Sequence, residues 1–295
     1  MSARIDFDYL HTLATGPEDH VTLEQIETDR ETLLSGGSLE IPGKQLALSL
    51  MLGSAELAER AIETAQGRVP LQLILRSDLA PASMDTLLEI FRDHAHALLP
   101  GFSGEAGGTV VDLGANEGFY TLRMKLLNPD LRLVSAEPVA ENLELFRANL
   151  AANGFGGVTI LETAVTDREG SVTLESLPHV GTVASTDILA FPRPWISSDQ
   201  IVQREVATTT LEGLFEAGGV EEAEILKIDV EGSEAGILSC SRQTLRRCKR
   251  IVVECHGREA RARVREALER AGFASLYEEE KRSGDLYFAR HQKTH

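Results

Sequence analysis

The chain has 295 residues, 42% of them hydrophobic and 25% charged, an ordinary globular composition with enough apolar material for a sizeable core. Its formal net charge of −17 repels a phosphate backbone, and no Lys/Arg stripe with interleaved aromatics offsets that field, so nucleic acid is not expected as a partner. The opening MSARIDFDYL lacks the basic start and apolar run of a signal peptide, and no later stretch is long and apolar enough to span a bilayer; a cytoplasmic protein with no membrane partner is expected.

Residues 1–100 carry helical patterns with one or two strands and form an accessory region. Within it, TLEQ from Thr22 to Gln25 is a capping-box pattern, and LQLILR from Leu71 alternates as a strand does. MDTLLEIFRDHAHALL from Met84 predicts a helix, on which His94 and His96 face different sides and read as surface or packing residues. The character changes near Leu99-Pro100-Gly101, and residues 101–295 form the second domain. There, strand and helix patterns alternate: TVVDLG, NEGFYTLRMKLL, LRLVSAEP, AENLELFRANLAANG and VTILETAV. This alternation predicts an α/β fold with a parallel sheet covered on both faces.

Further along, AEILKIDV and RIVVECH read as buried parallel strands, REARARVREALERAGF as an amphipathic helix, and the closing FASLYEEEKRSGDLYFAR as a hairpin turning at Ser283-Gly284. The basic stretch Arg242 to Arg250 reads as a solvated helix end. Cys240, Cys248 and Cys255 are odd in number and lack CxxC spacing, so we expect them reduced and mostly buried.

Asp112 to Gly118 falls at the carboxyl end of a predicted strand, where sheets of this kind bind ligands. Gly114 and Gly118 remove side chains where a ligand must approach, and their G-x-x-x-G spacing is not that of a dinucleotide loop, which disfavours an NAD-linked oxidoreductase. Glu137 follows on the next strand, placed to accept both hydroxyls of an unphosphorylated ribose, so an adenosyl ligand fits. The alternative for Glu137 is a helix-start carboxylate with no ligand.

VVDLGANEGFYT, AEPVAENLELFRANLAANG, ILKIDVEGSEAGIL and IVVECHG occur in the order that the FkbM family of S-adenosylmethionine-dependent methyltransferases shows, and the chain resembles that family over roughly Val110 to His256. The resemblance implies a Rossmann-like class I methyltransferase fold, a seven-stranded mostly parallel sheet with a C-terminal antiparallel hairpin, and S-adenosylmethionine as cofactor. It implies that Gly114, Asn116 and Gly118 line the methionine part, that Asp112 supports the turn, that Glu137 takes the ribose, and that Ala164 passes next to adenine. Residues 1–100 share in none of it, and two uses stand open for them: a cover over the acceptor, or a surface that pairs two subunits as a homodimer.

Asp229, Glu231, Glu254 and His256 are expected on the same sheet edge as the cofactor. In one reading His256 or Asp229 takes a hydroxyl proton while Glu231 orients the acceptor, Asp229 also bordering the cofactor and Glu254 the substrate. In the other, Asp229, Glu231, Glu254 and His256 hold a divalent metal, which is not expected because no fixed ligand spacing demands one. The bland alternative has Glu231 and Glu234 capping the following helix and Glu254 pairing with Lys227. Lys227 reads as an ion-pair partner. The stretch Leu177 to Gln200 is too long for a tight turn and offers His179 and Trp195 as substrate contacts.

The expected function is methylation of a hydroxyl on a small-molecule acceptor such as a sugar or secondary metabolite. The alternatives are nitrogen methylation and a catalytically inactive cofactor-binding module.

Overall fold

The computed structural model describes residues 20–21, 27–28, 31, 45–53, 68–76, 80–93, 95–104, 107–177, 180–185, 201–279 and 283–290. The apolar runs of the second domain become one seven-stranded sheet. Its strands are β4 (Thr109–Leu113), β5 (Arg132–Ala136), β6 (Val158–Leu161), β11 (Ala223–Ile228), β12 (Cys248–His256), β13 (Phe273–Glu278) and β14 (Ser283–Arg290). They lie in the order β13-β14-β12-β11-β4-β5-β6. Every neighbouring pair is parallel except those of β14, which runs antiparallel to β12 and β13. From β4 the chain steps outward through β5 and β6, then resumes on the other side with β11 and β12. The carboxyl ends of β4 and β11 therefore diverge at a topological switch point, where a cleft opens.

Alternation along the strands feeds two cores. Val110, Ile225 and Val252 pack under α1 (Ala80–Phe91), α2 (Phe119–Leu127) and α3 (Ala140–Ala152), while Val111, Leu226 and Val253 pack under the other face's helices. Those are α4 (Leu211–Ala217), α5 (Glu234–Cys240), α6 (Arg242–Leu245) and α7 (Arg258–Arg270). Leu71, Leu73 and Phe91 belong to the first core, so residues before Leu99 share a core with the second domain. They come from a small sheet of β1 (His20–Val21), β2 (Gln45–Gly53) and β3 (Arg68–Arg76), and from α1. Asn149 of α3 accepts the Ile74 N–H at 2.7 Å and ties β3 to the main body.

Several elements differ from expectation. VTILETAV splits, because Leu161 O accepts the N–H groups of both Glu137 and Thr163 and turns the chain. The following β7 (Ala164–Val165) joins a second sheet with β8 (Gly170–Leu177), β9 (Val180–Ser185) and β10 (Val202–Thr209). Part of the long stretch from Leu177 is thus strand β9; His179 and Trp195 lie outside the described residues, as does Thr22 to Gln25. The helix from Met84 stops at Phe91 because a tertiary carboxylate captures His96. Ser283 and Gly284 already pair with His256 and Cys255, so the hairpin turns before them.

The basic stretch is a solvated helix end at Arg242 and Arg246, which are exposed at the two ends of α6, and is engaged beyond them. Arg247 donates to the Val220 and Glu221 carbonyls, and Lys249 and Arg250 both pair with Glu224. The cysteines are free, with Cys248 and Cys255 buried and Cys240 exposed. No helix among the described residues is long and apolar enough to cross a membrane.

Candidate active site

The register sets Lys227 directly beside Asp112 on adjacent parallel strands, both buried. Lys227 Nζ lies 3.1 Å from Asp112 Oδ1 and 3.6 Å from Asp229 Oδ2, and donates to Gly114 O at 2.8 Å. Burial alone would lower the lysine pKa, but Asp112 and Asp229 more than offset it and the net shift is upward. Thr121 Oγ1 completes the anchorage by donating to Asp112 Oδ2 at 3.0 Å. Lys227 is therefore an ion-pair partner of Asp112 and Asp229, not of Glu254 as the bland alternative had it. Asp112 supports the glycine turn from beneath.

Gly114 has φ 74, and a Cβ there would stand 1.8 Å from the Asp229 carbonyl oxygen, so only glycine lets β4 and β11 meet at this point. Gly118 does something different: its absent side chain makes room for Phe146, whose Cδ2 a Cβ would meet at 2.0 Å, and it does not line the cleft.

Glu137 is 4% exposed and held by three donors. Its Oε2 accepts the Asn116 N–H at 2.9 Å, and its Oε1 accepts the Val139 N–H at 2.9 Å and Asn142 Nδ2 at 3.2 Å. Burial outweighs these bonds and raises its pKa. Glu137 bonds the N–H of Val139, the residue that opens α3, as the helix-start reading has it, and it also lines the cleft.

Gly114, Asn116, Glu137, Ala164, Asp229 and Glu231 line that cleft, which encloses ≈ 700 Å³ counted out to bulk solvent. Val172 and Leu174 of β8 close it from the side of the second sheet. The residues fit an adenosyl ligand on one count: Asn116 Oδ1, at the cleft wall, is buried without a hydrogen-bond partner among the described residues.

Glu234, the first residue of α5, folds back on the preceding turn, its Oε1 accepting the Gly232 N–H at 2.9 Å. Glu231 instead lines the cleft, with His256 Nε2 3.4 Å from its Oε2 and 3.7 Å from Glu254 Oε1. The alternative metal set is not gathered in one place: Asp229 faces an ammonium, and among the described residues the acid and histidine donors that converge are His96, Glu254 and Asp285. In that trio His96 Nδ1 is bonded to Asp285 at 2.8 Å, while Glu254 Oε1 lies 3.7 Å from His256 Nε2.

Sequence reasoning missed His96 and Asp285. Of the two settings expected for it, surface or packing, His96 takes the buried one, beyond the end of the helix, with its Nε2 3.8 Å from Asp229 Oδ2. The signal within reach was Asp285, a lone acid entering the apolar strand LYFA.

A switch-point cleft with this glycine turn and a buried carboxylate in its wall, on this strand order, defines a Rossmann-like class I methyltransferase fold. Residues 112–275 match the family described as the methyltransferase FkbM domain, and the chain belongs to that family. Methyltransferase sdnD of Sordaria araneosa is 25% identical over 176 residues, 51% of this chain and 65% of that protein. The 2-O-methyltransferase NoeI of Sinorhizobium fredii is 24% identical over 157 residues, 51% of this chain and 64% of that one, so just under two thirds of either relative is matched. The precorrin-6y C5,15-methyltransferase structure from Geobacter metallireducens superposes with a TM-score of 0.37 at 15% identity, covering 63% of this chain and 80% of that one.

Proposed function

We propose that the protein transfers a methyl group from S-adenosylmethionine to a hydroxyl of a small molecule such as a sugar or secondary metabolite. The observation that carries this reading is the cleft itself: a three-donor-braced Glu137 and a bare Gly114 turn on one side, Asp229 and Glu231 on the other. Glu137 would take the ribose hydroxyls, Gly114 and Asn116 the methionine part, and Ala164 the adenine edge. When bound, the sulfonium supplies an already activated methyl group. What the protein must add is alignment of the acceptor and a place for its proton.

Asp229 and Glu231 stand where the acceptor would be aligned, and His256 holds Glu231 and Glu254 in place. The name of the 2-O-methyltransferase relative supports oxygen as the acceptor atom. A cytoplasmic setting is part of the proposal, supported by three unpaired cysteines.

The test is transfer from isotopically labelled S-adenosylmethionine into a metabolite extract, with and without chelator, read by mass spectrometry. A labelled ether product is expected in both conditions. Label on nitrogen, or none at all despite cofactor binding, would overturn the reading.

A further inference from the structure

Beside Asp229 of the cleft wall, His96 is buried and held by a carboxylate from a distant strand. His96, Asn116 and Glu231, with φ of 61, 50 and 53, are the non-glycine residues at positive φ among the described residues. The other two line the cleft. Such conformations are costly without glycine and collect at functional sites.

Asp285 grips His96 twice, its Oδ2 accepting the backbone N–H at 2.6 Å and its Oδ1 bonding Nδ1 at 2.8 Å. Tyr287 locks the carboxylate, donating to Oδ2 at 2.9 Å while accepting the Leu98 N–H at 3.2 Å. In the neutral ring the proton then sits on Nδ1, facing Asp285, and the lone pair falls on Nε2. That nitrogen makes no hydrogen bond among the described residues and points to Asp229, 3.8 Å away at the cleft wall. His256 is turned otherwise, its Nε2 between Glu231 and Glu254.

We propose that His96 is the catalytic base of the methyl transfer and Asp285 its positioning residue, an assignment that rests on the hydroxyl-methylation reading above. The acceptor O–H gives its proton to His96 Nε2 as its oxygen forms a bond to the methyl carbon. The carbon–sulfur bond breaks with its electron pair leaving on sulfur. Cationic donor, neutral hydroxyl and neutral imidazole become neutral ether, neutral thioether and imidazolium, and the imidazolium returns its proton to solvent.

His96 is faced by Asp285 and Tyr287 of β14, Lys227 of β11 and Asp229 just beyond it, Glu254 of β12, Tyr120 of α2 and Glu89 of α1. Burial alone would lower its pKa, but the charge and hydrogen bond of Asp285 outweigh that and push it up to about 9. In the free protein the base is therefore released only at alkaline pH, and kcat/KM should climb about tenfold per pH unit below that value. Glu89, pushed up to about 7 first by burial and then by Glu254 and Asp85, titrates lower and is separated by Glu89→Gln.

The experiment pairs ¹⁵N-histidine NMR of the cofactor-free protein with pH-resolved rates, using the best acceptor from a panel of free monosaccharides and simple phenols. His96→Asn keeps an amide donor near the Nδ1 position, tolerates a left-handed backbone and removes only the base. It should bind S-adenosylhomocysteine within about twofold of the native protein, lose roughly 10²–10⁴-fold in kcat and show no alkaline limb. Asp285→Asn should move that limb, and one imidazole titration, toward lower pH.

An unchanged kcat and limb in His96→Asn would overturn this assignment alone. If the native protein binds S-adenosylhomocysteine yet methylates neither the panel nor a metabolite extract, the parent reading falls. The NMR arm then judges the dyad separately, and absence of a raised imidazole titration that depends on Asp285 would overturn it too.

Discussion

Gly114 and Glu137 show how single residues build the cleft. Gly114→Ala places a methyl group on the Asp229 carbonyl at a backbone angle that alanine resists, so we expect a loss on the order of 3 kcal/mol or more, measured by urea unfolding. Glu137→Ala should weaken S-adenosylhomocysteine binding by roughly 2–4 kcal/mol in a calorimeter, the worth of charge-assisted bonds to two ribose hydroxyls. An unchanged Kd would mean that the ribose is held elsewhere. His96 also makes a stability prediction whose sign follows from its raised pKa. The contribution of its ion pair is complete below pH 6.5, its ordinary value, and is lost as pH rises through about 9. Thermal melts between those values should fall for the native protein and stay flatter for His96→Asn.

At the scale of elements, the β4–β11 ladder depends on one buried cation. Lys227→Met leaves Asp112 charged, buried and without its partner, which should cost about 3–5 kcal/mol in a denaturant titration. Adding Asp112→Asn should recover part of it, because the uncompensated charge then disappears; no recovery would show that Lys227 acts through its bonds to the Leu113 and Gly114 carbonyls instead. Helix α4 offers a smaller, independent change. Thr210 accepts the Gly213 N–H at 3.1 Å as its N-cap, and Thr210→Ala should remove about 1 kcal/mol with cofactor affinity intact.

For the molecule as a whole, the shared core argues against a separable catalytic half. Leu71, Leu73, Met84, Leu87 and Phe91 pack with Phe102, Phe119 and Leu133. Deleting residues 1–100 would bare that face, and we expect loss of a cooperative thermal transition. A sharp melt with S-adenosylhomocysteine binding retained would show instead that residues 101–295 fold alone. The boundary at Leu99-Pro100-Gly101 marks a change of pattern in the chain, not an edge of the core.

By itself, the sequence determined what local pattern can encode: alternating strands and helices, a glycine turn at a strand end, a carboxylate on the next strand, and paired acids leaving β11. These are legible because periodicity and backbone permissiveness act over a few residues. It did not determine which side chains meet from distant segments. Asp285 follows His96 by 189 positions, yet their contact ends a helix that the pattern around Met84 would have continued. VTILETAV likewise looked like one strand, and its break at Leu161 depends on an N–H from Glu137 in another element. Only the tertiary structure decided that His96 faces Asp229 and that Lys227 serves Asp112, because a buried charge takes whichever partner the fold brings within reach.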